Sequence, residues 1–253
     1  MALFDTLETD QPGTADSVLP WATGVPAYLH EVYCWAYLNP SNVKLLDREI
    51  VVSLILWGNS QRLKQALLME ISPETTVLQA AHVYGTLIPE IASKLSHSGQ
   101  LEVVEVSPLQ AGICREKLRA FPQAVVRISD VATLRTQPRD LVSCFFLLHE
   151  MPCDYKRAVV DTLLAHVVPG GKAVFVDYHK PARLHPLRGV MNLIWHKLEP
   201  FTIELVDTEI KSLAEDSSAF TWSKETFFDG LYQKVVATRR APGLQPRQLN
   251  HRK

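Results

Sequence analysis

Residues 77–85 read VLQAAHVYG, and how this stretch is understood decides the fold. Val77 and Leu78 belong to a short apolar, β-prone run. After Gly85, the residues Thr86, Leu87 and Ile88 open a segment with apolar side chains at helical spacing. Strand, loop and helix in that order begin a doubly wound α/β domain, whose first loop is the usual seat of a nucleotide-like cofactor. Such loops are normally rich in glycine, because a residue without Cβ lets the backbone approach a ligand closely. Here Ala81, His82, Val83 and Tyr84 fill the loop and only Gly85 remains. The pattern is that of a cofactor fold with a rebuilt central loop.

Working outward, strands and helices alternate from residue 76 onward. The pattern predicts strands at 76–80, 101–106, 124–129, 141–147 and 173–178, with helices at 86–96, 108–121 and 154–167. Ser107-Pro108 gives a helix cap followed by proline in the first turn, and Asp154 precedes its own apolar-periodic run. Alternation of this kind implies a parallel sheet with helices on both faces. Pro169-Gly170-Gly171 reads as a tight turn launching the fifth strand. Beyond it, 186–198 is an apolar helix, and 220–228 with 231–238 form a hairpin about Asp229-Gly230, a pair suited to a two-residue turn. The expected fold class is therefore α/β: a doubly wound, mostly parallel, seven-stranded Rossmann-like sheet with a C-terminal β-hairpin.

Ahead of the sheet, residues 25–70 are helical in pattern. Ala27, Leu29, Val32, Tyr33 and Ala36 share one face, and Pro40-Ser41-Asn42 breaks and restarts the helix. Leu45, Ile50, Leu54, Ile55, Leu63 and Leu67 continue the apolar side. This region is either a lid over the sheet or a layer covering one sheet edge. Residues 1–24 read as a loose leader, 71–240 as the sheet domain and 241–253 as a disordered tail.

At 253 residues, with 47% apolar and 21% charged side chains, the chain suffices for one large core. A net charge of −1 gives no electrostatic case for binding nucleic acid. The four cysteines, Cys34, Cys114, Cys144 and Cys153, form no CxxC pair and fit buried thiols in a reducing compartment. The first residues carry acids and no basic n-region, so they do not read as a signal peptide. No run approaches the roughly 20 apolar residues of a membrane span. The expectation is a cytoplasmic protein.

Five segments in order resemble the class I S-adenosylmethionine-dependent methyltransferases over about residues 70–240. They are VLQAAHVYG, LEVVEVSPLQAG, RISDVATL, DLVSCFFLLHEMP and VVPGGKAVFVDYHKP. The resemblance implies that cofactor, with Gln79, Ala81 and Gly85 from the first segment around it. It puts Glu105 and Val106 at the ribose, where a carboxylate takes two hydrogen bonds from the diol. Asp130 and Val131 fall at the adenine. The departures are Gln79 for an acid, Ala81 and Val83 for glycines, and His82 for a cysteine, which should change how the amino-acid end of the cofactor lies.

With its LLHEMP and VDYHKP segments, the whole pattern is similar to the rhodoquinone biosynthesis family, a methyltransferase-like, quinone-modifying group. That resemblance implies conversion of ubiquinone to rhodoquinone by replacing a ring methoxy group with an amino group. It implies S-adenosylmethionine as amino donor and a divalent manganese ion, Mn2+. A divalent ion would polarise the quinone and lower the amine's pKa, and manganese accepts oxygen and imidazole ligands. Candidate ligands at the carboxyl ends of the strands are His149, Asp177 and His179, with Glu150 either beside them or capping the next turn. His149, Tyr28 and His82 are the candidate catalytic residues, Tyr28, His30 and Tyr33 lying where a lid would close over the ring. Ubiquinone's tail implies contact with a membrane surface, peripherally at the inner membrane, for which 186–198 with Arg183, Arg188, His196 and Lys197 is a candidate, core packing being the alternative for that helix. Two other readings stay open: an O- or C-methyltransferase acting on a quinol or phenol, and a non-catalytic methyltransferase-like binding subunit.

Overall fold

The computed structural model describes residues 25–241, so the leader and nearly all of the tail lie outside the described residues. Seven strands form one sheet in the order β3-β2-β1-β4-β5-β7-β6. They are β1 (Thr76–Ala80), β2 (Gln100–Glu105), β3 (Ala124–Ile128), β4 (Arg139–Phe145), β5 (Val167–Tyr178), β6 (Phe220–Phe227) and β7 (Tyr232–Arg239). The first five run parallel, and β7 lies antiparallel between β5 and β6. The chain reverses direction of travel across the sheet between β1 and β4, the switch point where ligands of open α/β sheets bind.

Strand alternation assigns the two cores. Val77 of β1 and Val174, Val176 and Tyr178 of β5 face one way, while Leu78, Ala173 and Phe175 face the other. The first face packs on α4 (Ser60–Leu68), α5 (Leu87–Lys94) and α8 (Arg188–Leu198). The second packs on α7 (Cys153–Ala165) and α9 (Thr202–Val206). Helix α6 (Pro108–Lys117) starts as its sequence predicts: Pro108 is its first residue, and the Ser107 hydroxyl accepts the Gln110 N–H at 3.4 Å. Helix α7 starts one residue before Asp154, which sits inside its first turn.

Two turn predictions are corrected. Pro169-Gly170-Gly171 is no launching turn but an irregularity within β5, where the pairing with β4 shifts register. Gly170 holds φ +81°, and a Cβ on Gly171 would meet the Asp140 carbonyl at 2.7 Å. The hairpin closes through four residues, Phe228 to Leu231, because Phe227 pairs with Tyr232. Phe228, Asp229 and Gly230 all take positive φ, so the two-residue Asp-Gly turn does not form.

The N-terminal helices are α1 (Ala27–Glu31), a π-helical turn at Cys34–Leu38, α2 (Pro40–Leu46) and α3 (Glu49–Ile55). Pro40 opens α2 as the break-and-restart reading requires, and the Asn39 side chain caps it by accepting the N–H groups of Ser41 and Asn42. The expected common apolar face divides. Leu63 and Leu67 are wholly buried, whereas Leu45, Ile50, Leu54 and Ile55 are exposed. No helix among the described residues is long and apolar enough to cross a membrane.

Candidate active site

A cavity of about 590 Å³ opens at the carboxyl ends of β1, β2 and β4, roofed by α1 to α3 and bordered by α8. Two non-glycine residues with positive φ mark its floor: Ala81 (φ 62°) after β1 and Phe146 (φ 50°) after β4. Such backbone is costly for residues with Cβ and persists where the surroundings impose it. Here it lies at the switch point of the sheet. Ala81 thus keeps the left-handed conformation for which glycine is the ordinary choice.

The first loop is locked from both sides. Its His82 N–H donates to Glu105 Oε2 at 2.8 Å, and Glu105 Oε1 takes the Ser107 N–H at 2.7 Å. Burial raises the Glu105 carboxyl to about 7, against the pull of these backbone donors. The tautomer of His82 follows from its neighbour. Gln110 Nε2 donates to the Tyr37 carbonyl and the Tyr84 hydroxyl, so Gln110 Oε1 must accept the hydrogen of His82 Nδ1 at 2.9 Å. His82 Nε2 is left as a buried acceptor with no partner among the described residues. Burial, aided by Lys117, depresses the ring to about 3 and keeps it neutral.

At its far end the loop's donors are occupied by the chain itself. The Gly85 N–H donates to Asp47 Oδ1 at 3.1 Å, and the Thr86 N–H to Glu49 Oε2 at 3.0 Å. Lys117 binds Asp47 and the Gly85 carbonyl, while Lys64 reaches Glu49, Glu90 and the Thr86 hydroxyl. Carboxylates at a helix start are favourable by dipole and by unsatisfied N–H groups. The segment joining α2 to α3 is therefore pinned onto the start of α5.

Across the cavity stands a histidine among acids. His149 follows β4, and its Nδ1–H donates to Asp177 Oδ1 at 2.9 Å. The Asp177 carboxylate also accepts the N–H groups of Leu148 and Tyr178. His149 Nε2 is turned to Glu150 Oε1 at 3.8 Å and Glu199 Oε2 at 4.0 Å. Burial opposes the charged ring, but Asp177, Glu199 and Glu150 outweigh it and lift His149 to about 9. Burial lifts Glu150 to about 8, against His149 and the hydrogen bond donated by Tyr37. Glu199 is also raised, by burial first. At neutral pH His149 and Glu150 hold protons.

Tyr28, His82 and His149 all line the cavity, as do Ala81, Glu105, Val106, Asp130 and Val131. Asp130 caps the following turn through the Ala132 N–H and receives the Tyr155 hydroxyl, on which Tyr28 packs edge-on at 5.2 Å. Gln79 and Gly85 do not line it. Gln79 is fully buried and donates to the Ala81 carbonyl at 3.2 Å, so it shapes the loop from beneath. Tyr33 reaches the cavity, and His30 is not among its lining residues.

The proposed metal ligands are not brought together. His149 and Asp177 touch, but His179 lies past the end of β5. Its Nδ1 meets the Gly230 carbonyl at 2.8 Å, and it lines a separate surface cleft. Among the described residues no group of three or more His, Cys, Asp or Glu side chains is arranged to hold a metal ion. With His179 turned to a separate cleft and His149 Nδ1 bonded to Asp177, the trio does not suit Mn2+. Sequence reasoning did not find Tyr37, Gln110 or Glu199. Tyr37 and Glu199 lie 113 and 49 residues from Glu150 in an otherwise unremarkable context, and only the fold unites them.

The sheet order and the site at its switch point define a class I methyltransferase-like Rossmann fold. No protein-family model matches the sequence, and no curated protein matches it. Solved structures do match. An O-methyltransferase family protein from Burkholderia thailandensis superposes with TM-score 0.58 at 15% identity, covering 73% of this chain and 57% of that one. The mitomycin 7-O-methyltransferase MmcR gives 0.62 at 14% identity, covering 82% of this chain and 60% of its own. The N-methyltransferase NodS from Bradyrhizobium japonicum, in complex with S-adenosyl-L-homocysteine, gives 0.54 at 15%, covering 86% and 100%. The chain thus spans less than two thirds of the first two proteins, and at these identities the likeness is one of fold.

Proposed function

We propose that this protein is an S-adenosylmethionine-dependent enzyme that exchanges a methoxy group on a ubiquinone ring for an amino group. One observation carries the reading: His149, its ring bonded to the buried Asp177 carboxylate, faces the same cavity as Glu105 and Asp130. Addition of an amine to a quinone needs an acid at the ring carbonyl, whereas methyl transfer to a phenol needs a base. His149 at about 9 is an acid at neutral pH.

Glu105 and Asp130 fit the cofactor's sugar and base, since both carboxylates sit at strand ends on the cavity wall. When bound, the cofactor would supply an α-amino nitrogen that displaces the ring methoxy group as methanol; its Cα–N bond would then be cleaved by water as the quinone takes up the Cα–H electron pair, leaving the amino group on the reduced ring and the cofactor as its 2-oxo acid. His82 Nε2, neutral and without a partner among the described residues, suits a hydrogen bond accepted from that amine. His149 Nε2–H suits donation to the quinone oxygen, its orientation set by Asp177. Tyr28, Tyr33, Tyr37 and Phe146 supply aromatic walls for a planar ring. The manganese of the resembling family enters as a variable in the assay, with no step assigned to it.

The second reading, O- or C-methyl transfer to a quinol, is favoured by the O-methyltransferases among the solved structures that share the fold. The deciding assay is purified protein with a short-chain ubiquinone and S-adenosylmethionine, with and without Mn2+, read by the mass of the quinone. An aminoquinone supports amination. A methylated quinol, or no product under either condition, contradicts it.

A further inference from the structure

The rim of the cavity is apolar and open. Ile50 is 69% exposed, Leu54 65% and Leu193 63%, on α3 and α8. The two helices meet there, because the Trp57 indole N–H approaches Met191 Sδ at 3.2 Å. Leu54, Ile55 and Trp57 from one side and Met191, Ile194 and Leu198 from the other line the cavity itself. The apolar surface therefore runs unbroken from solvent into the site. On α8, Val190, Leu193 and Lys197 follow one another at the spacing of a single exposed face. Just before that helix, Leu184 is 93% exposed beside Arg183. Arg183 and Arg188 line a surface cleft of about 510 Å³ with Lys180, Asp207 and Glu209; the two acids are paired with Lys180 and Lys224, and neither arginine has a carboxylate partner among the described residues.

We propose that the α3–α8 rim docks on an anionic phospholipid bilayer, with Arg183 and Arg188 against the headgroups and the cavity mouth against the acyl region. Large apolar side chains interleaved with unpaired cations are what an interfacial surface requires. A second copy of this chain would need free acids opposite the arginines, and the acids near this face are already paired: Glu49 with Lys64, Asp207 with Lys180 and Glu209 with Lys224. The geometry lets a lipid-borne ligand keep its tail in the bilayer while its ring enters the cavity, and only this last clause rests on the proposed quinone chemistry.

The test is flotation of the full chain with phosphatidylcholine vesicles, with and without phosphatidylglycerol. The wild type should float with the anionic vesicles. Arg183→Glu with Arg188→Glu should weaken that binding about tenfold or more. Ile50→Glu with Leu193→Glu, at exposed positions that do not line the cavity, should lose flotation while keeping the thermal unfolding midpoint and turnover of a water-soluble short-chain quinone. Failure of the wild type to float, equal flotation of the Ile50 and Leu193 variant, or a dimer in the absence of vesicles that this variant abolishes would each overturn the docking surface. Flotation needs no turnover, so it is read independently of the amination chemistry.

Discussion

At the scale of the residue, His149 and Asp177 are the pair on which the chemistry turns. The carboxylate fixes which ring nitrogen faces the cavity and keeps the ring charged. Asp177→Asn should lower the pKa of His149, so the alkaline limb of the kcat profile should move down by more than one pH unit. Because the active form is protonated, the variant should lose activity near pH 8, with kcat there down about threefold or more while activity at lower pH is better preserved. A profile of unchanged shape would show that His149 is not the acid. Glu105 gives a second check. Glu105→Ala leaves the His82 and Ser107 N–H groups without their acceptor and should weaken S-adenosylmethionine about tenfold or more by calorimetry. The sequence made these residues legible because each sits at or just past the carboxyl end of a strand in a recognisable segment. It did not reveal Glu199 or Tyr37, since a side chain's approach to a site from a remote helix leaves no periodicity. It also grouped His179 with Asp177 at the carboxyl end of one strand, but β5 ends at Tyr178 and His179 turns to the Gly230 carbonyl.

At the scale of the element, the rebuilt first loop depends on its clasp by the α2–α3 segment. Gly85 holds φ +80°, and a Cβ there would stand 2.5 Å from Glu49 Oε2. Gly85→Ala should cost about 1–3 kcal/mol in denaturant unfolding, from strain and from displacing the cap on α5. Lys64→Ala should cost about 3 kcal/mol, because Glu49 and Glu90 would both lose the buried ammonium that bridges them. Full stability in either variant would show that the clasp is incidental. The strands were legible to within a few residues from apolar runs between turn residues. The N-terminal helices were legible as helices but not by facing: Ile50 and Leu54 match a buried stripe in spacing, and a lid that leaves them outward has the same pattern as one that packs them. The hairpin loop was misjudged because Asp229-Gly230 supplies the residues of a primed turn while the register of Phe227 with Tyr232 demands a longer one.

At the scale of the whole molecule, the buried protons tie folding to pH. The folded pKa of His149 is raised above the unfolded value, so its contribution is complete below about 6.5 and is lost as pH rises through about 9. Glu150 is raised as well, so its neutral form is favoured by the fold and its contribution fades as pH rises through about 8. Stability should therefore fall between about pH 7 and 9, on the order of 2 kcal/mol, measured by denaturant midpoints. Glu49 and Glu70, which are lowered by their lysine partners against the effect of burial, do not titrate in that window. In His149→Gln with Glu150→Gln the slope should flatten; an unchanged slope would assign it elsewhere.

The most direct test of the central claim follows the nitrogen. S-adenosylmethionine labelled with heavy nitrogen at its α-amino group, incubated with the protein and a short-chain ubiquinone, should deliver the label to the ring as methanol is released. A quinone product that carries the cofactor's methyl group and none of the label would contradict the account.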